Sequence, residues 1–170
     1  MKKIFFLTAL LFASITNAAS FKNDGPCDVY FSPKGGVQDA IVNIINKAQH
    51  TINVLAYSFT STPISNALIA AKNRGVDVKI VLDKKQPTAS YGKMKVVMDA
   101  GIPVWVDSKH AIAHNKVILI DGKIFETGSF NYSAGAETSN GENALICPSI
   151  EGYNLYFKNW TLHQNHSVKQ

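Results

Sequence analysis

Two residues of contrasting chemistry stand two apart at the head of an apolar run: His114-Asn115-Lys116, then Val117 to Ile120, then Asp121. On an extended strand alternate side chains share a face, so His114 and Lys116 point the same way, with Cα atoms roughly 6.5–7 Å apart. A neutral imidazole beside an ammonium suits a phosphate ester. The imidazole can attack phosphorus while the ammonium neutralises the non-bridging oxygens. Downstream come Gly128-Ser129 and Asn131. Gly128 reads as a structural residue whose lack of a side chain lets backbone approach a ligand closely, and the serine and asparagine add neutral donors. Asp121 has the opposite parity, falls in a turn and would repel an anion, so it reads as structural. Glu142, beside a polar loop and just ahead of a strand, is placed to hold the second imidazole nitrogen of His114 and fix its tautomer.

Taken together, His114-x-Lys116-x4-Asp121-x6-Gly128-Ser129-x-Asn131 resembles the HKD signature of the phospholipase D superfamily, with every motif position filled. The segments Leu55 to Phe59, Arg74 to Val81 and Asn140-Gly-Glu-Asn143 resemble the small bacterial endonucleases of that superfamily. The similarity runs from about Val29 to the final helix. It implies a phospholipase D/nuclease-like α/β fold, a covalent phosphohistidine intermediate, no metal or other cofactor, and two HKD histidines in each active site. Residue by residue, the resemblance implies that His114 is nucleophile or acid/base and that Lys116, Ser129 and Asn131 contact phosphate. It implies that Glu142 orients His114.

Chemistry gives a separate reason to expect pairing of chains. Displacing an alkoxide through a phosphohistidine needs a nucleophile and a proton donor for the leaving oxygen, and one imidazole cannot be both in one step. The chain carries one copy of the motif. A twofold homodimer that brings His114 and its symmetry mate to one phosphate is the economical solution. The rival is a monomer that uses His110 as the second imidazole. His110 and His114 would adjoin on a helix and evoke a metal pair, but the run that follows is strand-like and supplies no acidic third ligand at a recognised spacing. His110 therefore reads as a loop residue rimming the site.

Other polar and aromatic residues carry weaker signals. His163 and His166 hint at a metal but read better as part of a frayed polar tail. His50 is expected to end the first helix, where its charge suits the dipole. Lys84-Lys85 offers a backbone guide for nucleic acid or simply a solvated pair. Trp105 and Tyr132 are candidates for stacking on bases, whereas Phe130 reads as core.

The elements that must position these residues alternate. Strands are expected at Asp28 to Phe31, Thr51 to Tyr57, Val76 to Leu82, Pro103 to Val106, Lys116 to Ile120, Lys123 to Thr127 and Asn143 to Cys147. Helices are expected at Val37 to Lys47, at Thr62 (as N-cap, with Pro63 at N1) to Arg74, at Tyr91 to Ala100 and at Tyr153 to His163, with a helical turn inside Ser129 to Gly141. Asp121-Gly122 is a hairpin signal. The pattern predicts an α/β fold, a mixed β-sheet flanked by helices in a single domain.

The chain has 170 residues, enough for one ordinary domain, with 46% hydrophobic and 17% charged residues, a balance that excludes wholesale disorder. Lys2-Lys3, the apolar run Ile4 to Ile15 and Thr16-Asn17-Ala18 have the form of a cleaved signal peptide, residues 1–18, and are too short to span a bilayer. Residues 19–170 then form the mature phospholipase D-like nuclease domain. Removing Lys2 and Lys3 takes the charge from +5 to 15 minus 12, or +3, mildly favourable to a polyanion. An exported chain with Cys27 and Cys147 makes a disulfide reasonable, two buried free thiols being the alternative. The expected protein is periplasmic or secreted, not stably inserted in a membrane, and dimeric. Its expected substrate is DNA or RNA, with phospholipid headgroups or non-catalytic nucleic-acid binding as the alternatives.

Overall fold

The computed structural model describes residues 18–170. The expected leader therefore lies, but for Ala18, outside the described residues. Eight strands form one sheet in the order β1-β7-β6-β5-β2-β3-β4-β8. They are β1 (Asp28–Ser32), β2 (Thr51–Ala56), β3 (Asp77–Asp83), β4 (Val104–Asp107), β5 (Lys116–Ile120), β6 (Ile124–Gly128), β7 (Glu142–Pro148) and β8 (Val168–Lys169). β2, β3 and β4 run parallel, and the remaining pairings are antiparallel. This is the mixed α/β sheet that the sequence predicts.

Helices cover both faces, which is why the central strands read as nearly continuous apolar runs. Alternation on β5 sorts the two cores. Ile118 and Ile120 face α1 (Val37–Lys47), α2 (Thr62–Asn73) and α3 (Met94–Asp99). Val117 and Leu119 join Tyr153 and Trp160 of α5 (Ile150–His166) on the other face. A short α4 (Ala134–Thr138) lies between β6 and β7. Among the described residues, no helix is long and apolar enough to cross a membrane.

Several boundaries depart from the expected ones. The cap of α2 is Ser61 and not Thr62, because the Ser61 hydroxyl reaches the Ile64 N–H, three residues on. α3 begins at Met94, since Gly92 and Lys93 spend their N–H groups on the carbonyls of Ala89 and Phe59. α1 stops at Lys47, where Ala48 turns extended, so His50 caps no helix. The largest departure is at the C-terminus. α5 runs through His166, with His163 buried, and is followed by β8, so the expected frayed tail is an ordered helix end.

Cys27, just ahead of β1, is disulfide-bonded to Cys147 in β7, across a sequence separation of 120. A crosslink closing so long a loop restricts the unfolded chain, and replacing both cysteines with alanine is expected to cost roughly 3 kcal/mol. Urea midpoints of the oxidised protein and of the double variant measure it.

Candidate active site

The motif residues gather at one edge of the sheet, where the carboxyl ends of the parallel strands meet the start of β5, an edge that open α/β sheets use for ligands. Ala56, ending β2, pairs with Lys116, and the next residue, Tyr57, donates its N–H to the Asn115 carbonyl at 2.9 Å. That pairing fixes the strand start and sends His114 and Lys116 to the same side. The Lys116 Nζ lies 3.1 Å from His114 Nδ1, 3.2 Å from Nε2 and 3.0 Å from the His114 carbonyl oxygen, to which it donates. Near-equal distances to the two ring nitrogens mean that the ammonium is aligned with neither in-plane lone pair. The ring keeps a nitrogen for a substrate.

Lys116 is buried while His114 is exposed. The Tyr57 ring centroid is 4.6 Å from that of His114 and 5.5 Å from Lys116 Nζ, so an aromatic face wedges the pair together. Burial pulls the Lys116 pKa below the usual lysine range, and the negative charge of Glu142 pulls it back up.

Ser129 and Asn131 follow β6. Asn143 donates its backbone N–H and its side-chain Nδ2 to Ser129 Oγ at 3.1 and 3.3 Å. With its oxygen so engaged, the Ser129 hydroxyl has its proton to offer a ligand. Asn143 is the positioning residue that reading by residue type missed; its signal was its place beside Glu142 in the Asn140 to Asn143 segment. Asn131 is half-buried, and its Oδ1 is buried without a hydrogen-bond partner, an uncompensated polar atom at the site.

Three expectations change here. Gly128 is structural, as expected, but the close approach it permits is to the protein's own backbone and not to a ligand: a Cβ there would lie 2.2 Å from the Asn143 carbonyl oxygen. Gly128→Ala is therefore expected to push β6 from β7 and displace Ser129 and Asn131, cutting turnover at least about tenfold and costing about 1–3 kcal/mol of stability. Parallel kinetics and urea melts check both effects. Glu142 makes no hydrogen bond to His114; its carboxylate accepts from Asn140 Nδ2 at 3.2 Å and acts on Lys116 through its charge. Tyr132 is fully buried and donates to Glu126 Oε2 at 2.6 Å, while Trp105 packs against the α5-side core. Tyr132 thus presents no face for base stacking, and Trp105 is half-buried with Lys169 Nζ 5.7 Å from its ring centroid.

Asp121 is structural, as its parity suggests. With φ of +53° at Asp121 and +74° at Gly122, the pair forms the tight β5–β6 turn. Its carboxylate accepts the backbone N–H groups of Gln49, His50 and Thr51 at 2.8–2.9 Å. Burial works against those bonds, yet the Asp121 pKa lies below its usual value. His110 is a loop residue, but its ring turns to Asp107 Oδ2 at 2.8 Å and lies tilted against His163, with ring centroids 4.7 Å apart. Lys84 is likewise occupied, donating to the His110 carbonyl at 3.0 Å.

Comparison with known proteins gives a consistent picture. A family model described as cardiolipin synthase, PLD-like domain, matches residues 41–160. A Rickettsia conorii protein named phospholipase D is 41% identical over 130 residues, covering 76% of this chain and 65% of that protein. The chain thus spans slightly under two thirds of the length of that relative. Among solved structures, Nuc from Salmonella typhimurium, a phospholipase D family member, superposes with a TM-score of 0.80 at 37% identity, over 85% of this chain and 97% of that one. NucT from Helicobacter pylori shares the fold, with a TM-score of 0.77 at 20% identity, over 85% and 99% of the two chains.

Proposed function

Because the chain belongs to the phospholipase D superfamily, whose enzymes act on phosphodiesters, we propose that it is a metal-independent phosphodiesterase, an exported endonuclease that cuts DNA or RNA at a homodimer interface. The observation that carries this reading is the exposed His114 imidazole held against the buried Lys116 ammonium, with the Ser129 hydroxyl on the neighbouring loop. Nucleophile, positive charge and neutral donor are the parts that phosphoryl transfer requires.

The steps balance with two imidazoles. A neutral His114 attacks phosphorus while the dyad-related imidazolium gives its proton to the leaving alkoxide. That second imidazole, now neutral, takes a proton from water, whose oxygen attacks the phosphohistidine and releases His114. Lys116, Ser129 and Asn131 hold the non-bridging oxygens, and Glu142 supports the Lys116 charge. The rival monomer loses support, since the ring of His110 is bonded to Asp107.

Three features favour nucleic acid as the substrate: the resemblance to small endonucleases, the high coverage of Nuc, and the net charge of +3 over residues 19–170. Phosphate contacts without a base-reading helix predict weak sequence preference and activity that falls with salt. Export draws support from the leader-like N-terminus and from the Cys27–Cys147 bond. The phospholipase D names of the rickettsial relatives favour one second reading, headgroup release. The deciding assay offers purified protein, in chelator, supercoiled DNA, single-stranded DNA, RNA and phosphatidylcholine vesicles. Cleavage of nucleic acid without choline release supports the first reading. Choline release with intact nucleic acid replaces it with the second.

A further inference from the structure

On the sheet face covered by α5, away from the HKD residues, four side chains converge on one point. Asp107 ends β4, His110 lies in the following loop, and His163 and His166 share one side of the last turns of α5. Asp107 Oδ2 is 2.6 Å from His163 Nδ1, 2.8 Å from His110 Nδ1 and 3.1 Å from His166 Nε2. Oδ1 of the same carboxylate accepts the N–H groups of Lys109 and His110. We propose that Asp107, His110, His163 and His166 form a zinc(II) site that fastens α5 to the loop leading to His114.

Stereochemistry makes the first argument. A carboxylate oxygen has two lone pairs, yet three imidazole nitrogens crowd onto Oδ2. A cation among the four atoms relieves that crowding, with each nitrogen turning its lone pair inward. Spacing makes the second. Tetrahedral zinc with bonds of about 2.0–2.1 Å sets its ligand atoms roughly 3.3 Å apart. The four atoms here already lie within 4.8 Å of one another, close to that spacing before any ion is bound. Burial makes the third. Asp107 is fully buried and His163 nearly so, while the His110 side chain is 46% exposed. A charged floor with an open rim lets an ion enter and then shields it.

Three imidazoles and one carboxylate are nitrogen and oxygen donors that suit zinc, and four protein ligands leave no open position, as in structural sites. The ion then works by crosslinking. His110 sits four residues before His114 in a loop that Asp83 also holds, accepting the Ala113 N–H at 2.7 Å. Zinc bound there rigidifies the approach to the HKD motif without touching substrate.

The test uses the purified full protein, stripped with chelator and dialysed against zinc. One zinc per chain, with a Kd below about 1 µM and a higher thermal midpoint than the stripped protein, is the expected result. His110→Ala and His166→Ala change the more exposed ligands and spare the buried floor. Each is expected to weaken zinc binding on the order of 100-fold and to abolish the thermal shift, while the stripped variants melt like stripped wild type. His114→Ala is expected to keep its zinc. Zinc binding that survives in the His110→Ala/His166→Ala double variant, or that disappears in His114→Ala, overturns the proposal, as does a stripped protein that takes up none. Because the readouts are stoichiometry and melting, they stand apart from the phosphodiesterase assay in chelator.

Discussion

Replacing His114 with alanine is expected to lower turnover of a phosphodiester by about four to six orders of magnitude, the scale seen when a covalent catalyst loses its nucleophile. Substrate binding is expected to survive, because Lys116, Ser129 and Asn131 still face the phosphate. Lys116→Ala removes a charge held in a buried, aromatic-lined position, and is expected to cost on the order of 10²–10³ in rate while leaving the nucleophile in place. Single-turnover hydrolysis separates the two variants, and a denaturing quench is expected to trap phosphate on wild-type His114 and none on the alanine variant. Mixing chains tests the dyad. If each site needs His114 from both protomers, co-refolded wild-type and His114→Ala chains show activity that follows the square of the wild-type fraction. A linear dependence means that each chain works alone, and the dimer mechanism fails.

What the sequence revealed and what it hid divide along local and non-local causes. The β5–β6 hairpin was legible because Asp121-Gly122 encodes its turn within two residues, and α1 because its apolar spacing is helical. His114 and Lys116 meet through strand geometry alone. Gly128 was legible as structural, but what it makes room for was not, because that atom, the Asn143 carbonyl, belongs to another strand. The end of α5 was misread for a related reason. His163-Gln164-Asn165-His166 looks like a solvated tail until Asp107, more than fifty residues earlier, gives the histidines a buried partner. Glu142 shows the reverse error: its place in sequence suggested a bond to His114, but its side chain turns to Asn140. Residue types thus located the catalytic kit, while partners distant in sequence decided what supports it.

One such partner was invisible in the sequence and controls the second large effect. Glu126, in the middle of β6, is fully buried, and burial pushes its pKa up to about 8 against the opposing hydrogen bond from Tyr132. Burial also drives the Tyr132 pKa upward, with the Glu126 charge adding to it, so the phenol stays protonated and donates. In the unfolded chain a glutamate titrates near 4.5. Between that value and about 8 the native protein holds a proton that the unfolded chain has released, so stability is full below 4.5, falls as pH rises through this window, and levels off above it. The loss is on the order of 5 kcal/mol across the window. Glu126→Gln keeps the shape and cannot ionise, so its stability is expected to decline far less between pH 5 and pH 8.5. Any slope from other groups is shared by both proteins, and the difference between them isolates Glu126. The effect reaches the site because Tyr132 follows Asn131 directly, and its carbonyl accepts the N–H groups of Thr60 and Ser61, fixing the loop that presents the Asn131 amide. Ionising Glu126 leaves a charge in that support, so wild type is also expected to lose activity above pH 8 more steeply than Glu126→Gln. Urea midpoints and turnover at the two pH values, for both proteins, decide it: parallel decline in wild type and variant removes Glu126 as the cause.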